Sequence, residues 1–242
     1  MLHIDGLTKS YGRHILWSDL TRTVPSAAMT ALTGPSGSGK STLLNCIGLL
    51  DRPDSGDIRF DGRPLSGVSS HRARIFRRDT LGYLFQNYAL IPDTTIKENL
   101  QVALPRLSRR ESRARLADAL AAVGLAGRAQ EPTHHLSGGE QQRLALARLI
   151  VRKPALILAD EPTGALDEDN ATMVIGTLRQ LAEAGATVLI ATHNATVRDA
   201  CGEQIDLTCT GHPDGPPPGP VPPGLSPTGR GRSRRPASVR VG

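Results

Sequence analysis

The chain is short of cysteine, of long apolar runs and of net charge on its body, and each shortage narrows the function. Only Cys46, Cys201 and Cys209 occur in 242 residues. Their spacings match no zinc pattern, and an odd count argues against a disulfide framework, so a reducing cytosol is the expected setting. No apolar run approaches the roughly 20 residues that span a bilayer. The start, Met1-Leu2-His3-Ile4-Asp5, has no basic segment and no apolar core, so no secretory signal is expected. If the protein works on a membrane, another chain is expected to supply the span. The formal charge is +6. Arg230, Arg232, Arg234, Arg235 and Arg240 against Asp214 place +4 of it in residues 211–242 and leave +2 for the rest. The basic balance is therefore mostly a tail property, and no specific nucleic-acid partner is expected.

What is present is organised around Gly34-Pro35-Ser36-Gly37-Ser38-Gly39-Lys40-Ser41-Thr42, which fits G-x-x-x-x-G-K-[ST] without a mismatch. A small, apolar stretch at 27–33 precedes it as a strand, and residues 43–50 follow at helical spacing. Three glycines let successive N–H groups turn inward as an anion nest, and the helix dipole aims at the same spot. Lys40 is expected to neutralise β- and γ-phosphate charge, and Ser41 to hold Mg²⁺ through its hydroxyl.

Residues 2–8 alternate and read as an edge strand. Residues 15–24 read as further β structure, Ile58 and Phe60 as a short strand, and Asp61-Gly62 as a hairpin turn. Residues 69–78 read as a basic helix capped by Ser69, with Arg72, Arg74, Arg77 and Arg78 on a solvated face. Tyr11 could stack on a base or be a half-buried tyrosine at a strand end; the residues alone favour the second. A strand at 81–85 ends in Gln86, and from about 87 to 151 the chain is strand-poor and helical. Ser108 and Glu111, then Ser137 and Glu140, have capping-box spacing. Gly138 and Gly139 in a helix's first turn cost roughly 1 kcal/mol each against alanine. They make sense if a phosphate must approach bare N–H groups.

Residues 155–159 are continuously apolar, as suits a strand buried on both faces, and end in Asp160-Glu161. A helix is expected at 168–183 and a buried strand at 187–191, ending in Thr192-His193. From 210 on, proline, glycine and arginine dominate, and that segment is expected to be disordered. Four strands thus end in polar residues, and an open parallel sheet binds ligands at such ends. Asp160 is expected beside Ser41 around the metal, Glu161 to polarise the attacking water, and His193 to contact the γ-phosphate. Gln86 is expected to sense metal and water.

These residues together resemble the ATP-binding subunit of ABC transporters over about 1–209, with a helical subdomain at about 87–151. Residues 34–41 resemble Walker A, and Leu136-Ser137-Gly138-Gly139-Glu140 resembles the more specific signature motif. Residues 156–160 resemble Walker B, with Glu161 as catalytic glutamate. Tyr11 resembles the adenine-stacking aromatic, Gln86 the Q-loop glutamine, Ala165-Leu166-Asp167 the D-loop, and His193 the switch histidine. The resemblance implies a P-loop NTPase with a RecA-like parallel-sheet core, an antiparallel β subdomain and a helical subdomain. It also implies ATP and Mg²⁺ as ligands and a head-to-tail dimer in which residues 137–140 of one copy cap the Walker A site of the other. A membrane permease would meet the segment after Gln86, at the cytoplasmic face of the membrane.

The wording at 83–92 and 136–143 is similar to the macrolide-exporter and lipoprotein-releasing branch, and within it to lactococcin-972-type bacteriocin exporters. Export of a peptide, lipoprotein or antimicrobial is the implied role. A mechanotransmitter or regulator without transport is the alternative. A DNA-repair or ribosome-acting relative is disfavoured, because there is one cassette without a long insertion. Three departures stand out: Asn194 where the family usually has Asp, the wording around Trp17 and 23–29, and the tail.

Overall fold

The computed structural model describes residues 1–85, 87–164 and 166–208. Gln86, Ala165, Cys209 and the tail at 210–242 lie outside the described residues. The chain opens on two antiparallel strands, β1 (Leu2–Tyr11) and β2 (His14–Val24). Next come β3 (Met29–Thr33), α1 (Lys40–Ile47), β4 (Ser55–Phe60) and β5 (Arg63–Pro64). Then α2 (Ser70–Asp79) and β6 (Leu81–Leu84) lead into three helices: α3 (Ile96–Gln101), α4 (Arg109–Ala122) and α5 (Gly138–Arg152). The chain continues with β7 (Leu156–Asp160), α6 (Glu168–Glu183), β8 (Thr187–Ala191), α7 (Ala195–Asp199) and β9 (Glu203–Asp206).

Two sheets result. One is antiparallel in the order β2-β1-β4-β5; the other is parallel in the order β6-β7-β8-β3-β9. The inner parallel strands β7, β8 and β3 are short and mostly apolar, because both their faces are covered. One face packs Leu32, Leu158 and Leu189 against α1 and the antiparallel sheet, through Leu44, Ile4 and Trp17. The other packs Ala31, Ile157 and Ile190 against α5 and α6, through Leu146 and Leu178.

The expectation of an edge strand at the start is corrected. β1 lies between β2 and β4, paired on both sides. Alternation of Leu2, Ile4 and Leu7 reports one buried face, and that pattern is the same for an edge strand and an inner one. All three helices expected to begin with a cap at Ser69, Ser108 or Ser137 do so, the last two as complete capping boxes. A third box sits at Thr95 and Glu98. Cys46 and Cys201 are buried and unpaired, and burial pushes the Cys46 thiol up to about 12, which leaves it inert. Among the described residues, no helix is long and apolar enough to cross a membrane.

Candidate active site

β3, β8 and β7 are adjacent and parallel, so their carboxyl ends open on one place. The 34–42 loop leaves β3 there, Asp160 ends β7 with Glu161 beyond it, and His193 follows β8. Gly39 is the N-cap of α1 at φ 86°, with no side-chain cap, so the first amides of α1 keep no partner from a capping side chain. That arrangement suits an anion. A Cβ on Gly39 would stand 2.7 Å from Trp17 Nε1, and one on Gly34 would stand 2.7 Å from Ser38 Oγ. The loop thus rests on a fully buried tryptophan at the position whose wording is unusual. Among the described residues, Ser38 Oγ is buried without a partner, which fits a hydroxyl that faces a phosphate.

Lys40 Nζ donates to the carbonyls of Gly34 (2.8 Å) and Pro35 (3.0 Å), so the ammonium is held over its own loop. Ser41 Oγ donates to Asp160 Oδ1 at 3.0 Å. Burial raises the Asp160 pKa above the usual carboxylate range, the Ser41 bond opposes this, and the Glu161 charge adds to it. A hydroxyl and a desolvated carboxylate side by side are hard oxygen donors short of a counter-charge, which fits Mg²⁺. Among the described residues there is no cluster of three or more His, Cys, Asp or Glu that could hold a metal.

Glu161 has φ 45°, a left-handed backbone for a non-glycine residue. Its N–H is tied to Ala191 O at 2.9 Å, which holds the conformation. Its Oε1 meets His193 Nδ1 at 2.8 Å; the glutamate is mostly buried and the histidine 73% exposed. Asn194 caps α7 by accepting from the N–H groups of Thr196 and Val197. An asparagine oxygen does this as well as the aspartate usual in the family, so the departure costs nothing structurally.

Ser137, Gly138, Gly139 and Glu140 form the first turn of α5 and its cap. Among the described residues, no hydrogen bond or ion pair joins them to residues 34–42. Glu140 is bound instead by Ser137 and by Arg128, which also holds Glu131. Gly139 faces Asn170, where a Cβ would stand 3.2 Å from Nδ2. Asn170 in turn bonds Arg143 (2.7 Å) and Asp167 (2.7 Å), so signature and D-loop are linked by side chains the sequence did not single out. The segment after residue 86 is held by Arg148, which donates to the carbonyls of Ala89 and Tyr88. Asn99 adds bonds to Ile91 and Thr94.

Arg128 pulls the Glu140 carboxyl down to about 2, helped by the Ser137 N–H and hydroxyl. A carboxyl held below its unfolded value stabilises the fold above about pH 4.5 and loses that contribution as pH falls toward 2. R128A should therefore lower the urea midpoint at pH 7, and the two curves should converge in acid. A gap that stays constant with pH would refute the assignment.

A glycine loop on a parallel sheet, with a serine–aspartate pair and a glutamate–histidine pair at neighbouring strand ends, defines a P-loop nucleoside triphosphatase. The profile of the ABC transporter family matches residues 17–164. The lipoprotein-releasing ATP-binding protein LolD 1 of Caulobacter vibrioides is 43% identical over 192 residues, covering 77% of this chain and 81% of its own. The macrolide export ATP-binding/permease protein MacB of Pectobacterium atrosepticum is 37% identical over 216 residues, and the match spans only 33% of that longer protein. The dimeric structure of MJ0796, a bacterial ABC transporter cassette, matches with a TM-score of 0.77 and 34% identity over 85% of this chain and 94% of that one. The same cassette is known in a post-hydrolysis state with ADP and Pi. The chain belongs to the ABC transporter family, as an ATP-hydrolysing cassette of the branch that holds the lipoprotein-releasing and macrolide-exporting ATPases.

Proposed function

We propose that the chain is the ATPase half of an exporter: two copies close head-to-tail on ATP and drive a separate membrane permease from the cytoplasmic face. The observation that carries the reading is the pairing of Ser41 with Asp160 at 3.0 Å beside Glu161 with His193 at 2.8 Å, on adjacent strand ends. Tyr11 stacks on the adenine. Residues 34–42 take the triphosphate, and Lys40 leaves its own carbonyls for β- and γ-phosphate oxygens. Ser41 and Asp160, with Gln86 from outside the described residues, would hold Mg²⁺. When bound, the ion offsets charge on those oxygens. Glu161 accepts the proton of a water as its oxygen bonds the γ-phosphorus and the bond to the bridging oxygen breaks, giving ADP and phosphate. His193 keeps Glu161 and that water in line. Ser137, Gly138, Gly139 and Glu140 of the second copy cap the γ-phosphate, with Asp167 beside them.

The dimer of MJ0796 supports the pairing of two copies. The fusion of ATP-binding and permease functions in the name of MacB supports a permease partner. Residues 87–99 suit its docking, because Arg148 ties Tyr88 and Ala89 of that segment to the signature helix α5. The cargo is a lipoprotein, a peptide or an antimicrobial, a reading that the lipoprotein-releasing and macrolide-exporting names of the relatives support for the first and last.

The test is capture from native membranes. A photo-crosslinker at Ile91, which is 40% exposed, should join the chain to a multi-span protein with a large external domain. Recovery of the chain only from the soluble fraction, or on DNA or ribosomes, would contradict the reading.

A further inference from the structure

Lys9 lies on β1 and is only 6% exposed, rare for a lysine without a specific partner. Its Nζ donates to Asp51 Oδ1 (3.1 Å) and to the Arg52 carbonyl (2.6 Å). The same ammonium lies 4.9 Å over the Tyr11 ring. The Tyr11 hydroxyl donates to the other oxygen of the same carboxylate, Asp51 Oδ2, at 2.8 Å. Asp51 sits just beyond α1, its N–H bonded back to Asn45 O. One carboxylate at the end of the phosphate-loop helix thus gathers both side chains. Burial opposes the charge on Lys9, yet the hydrogen bond and charge of Asp51 hold its pKa above the usual range. Burial likewise opposes the Asp51 charge, and its bonds to Tyr11, Arg52 and Lys9 keep its pKa low.

We propose that Lys9 and Asp51 are positioning residues for the nucleotide base, holding the Tyr11 ring by its hydroxyl and over one face so that the rest of the exposed ring is set to stack on adenine. The ring is 54% exposed, so a base can reach it. A tyrosine free on the surface must give up rotamer freedom on stacking; one already fixed does not. A cation over one face also draws π density from the ring, which favours contact with an electron-rich purine on the other. Because Asp51 follows α1 and bonds back to it, the base platform and the phosphate loop share one support. The proposal rests on Tyr11 meeting the base, as set out under the proposed function.

The experiment measures dissociation constants by titration calorimetry for ATP and for tripolyphosphate, which has the phosphates and no base. Y11A, Y11F and K9M are compared with the unaltered chain. Y11F keeps the ring and removes its bond to Asp51; K9M removes the cation. Both should weaken ATP binding about threefold to tenfold, the range of a lost cation–π or anchoring contact, and leave tripolyphosphate within about twofold. KM for ATP should rise by the same factor with little change in kcat. If Y11A weakens ATP while Y11F and K9M do not, the base platform stands and its positioning by Lys9 and Asp51 is overturned. If Y11A has no effect, the platform itself falls and the proposal with it. Equal losses for both ligands would mean a damaged phosphate loop and would also overturn it. Should K9M fail to fold, Y11F at its exposed position carries the same test.

Discussion

Replacing Glu161 by glutamine should lower the ATP hydrolysis rate about a hundredfold to ten-thousandfold, the range that general-base catalysis contributes, while leaving nucleotide binding in place. The amide keeps the size of the side chain and can still meet His193 across the 2.8 Å contact. What it cannot do is accept a proton from water. The left-handed backbone of Glu161, pinned by Ala191 O, is untouched by the change, so loss of activity reports chemistry and not collapse of the site. Steady-state phosphate release checks the rate, and calorimetry checks that ATP still binds. A rate within tenfold of the unaltered chain would remove Glu161 from the role of base.

Gly39→Ala should abolish nucleotide binding, with affinity down by more than about a hundredfold, since two separate strains add. The backbone at φ 86° costs a side-chain-bearing residue about 1 kcal/mol or more. The new Cβ also collides with Trp17 Nε1 at 2.7 Å and crowds Leu16 Cδ1 at 3.2 Å. Trp17 is fully buried and cannot retreat, so the loop must move, and with it the amides that face the phosphates. Adding Trp17→Leu should recover part of the affinity and not all of it, because the clash is relieved and the backbone strain stays. Full recovery would mean that the left-handed conformation is not needed; no recovery would mean that Trp17 is not the obstacle.

The pairing of Ser41 with Asp160, and the position of His193 near Glu161, were legible in the sequence for a simple reason. Asp160 ends a short apolar strand, Glu161 and His193 come just after one, Ser41 opens the helix reached from β3 through the glycine loop, and parallel strands bring their carboxyl ends together. The capping boxes at Ser108 and Ser137 were legible because they are local, three residues apart. The inner place of β1 was not, since strand order depends on distant partners such as β4 that alternation does not encode. For the same reason the supporting contacts were missed: Lys9 with Asp51, Arg128 with Glu140 and Arg143 with Asn170 join residues that only folding brings together. Trp17 carried a visible signal, an odd residue before the loop, but nothing in its wording pointed to Gly39. Gln86, the D-loop alanine Ala165 and the arginine-rich tail lie outside the described residues.

The central claim is that one chain holds half a site, with the loop at 34–42 in one copy and the cap at 137–140 in another. Light scattering on the E161Q chain, with and without Mg-ATP, tests it most directly. The expected mass is that of one chain, 25.7 kDa, without nucleotide and twice that mass with it. A single-chain mass in saturating ATP, with nucleotide shown to be bound, would contradict it.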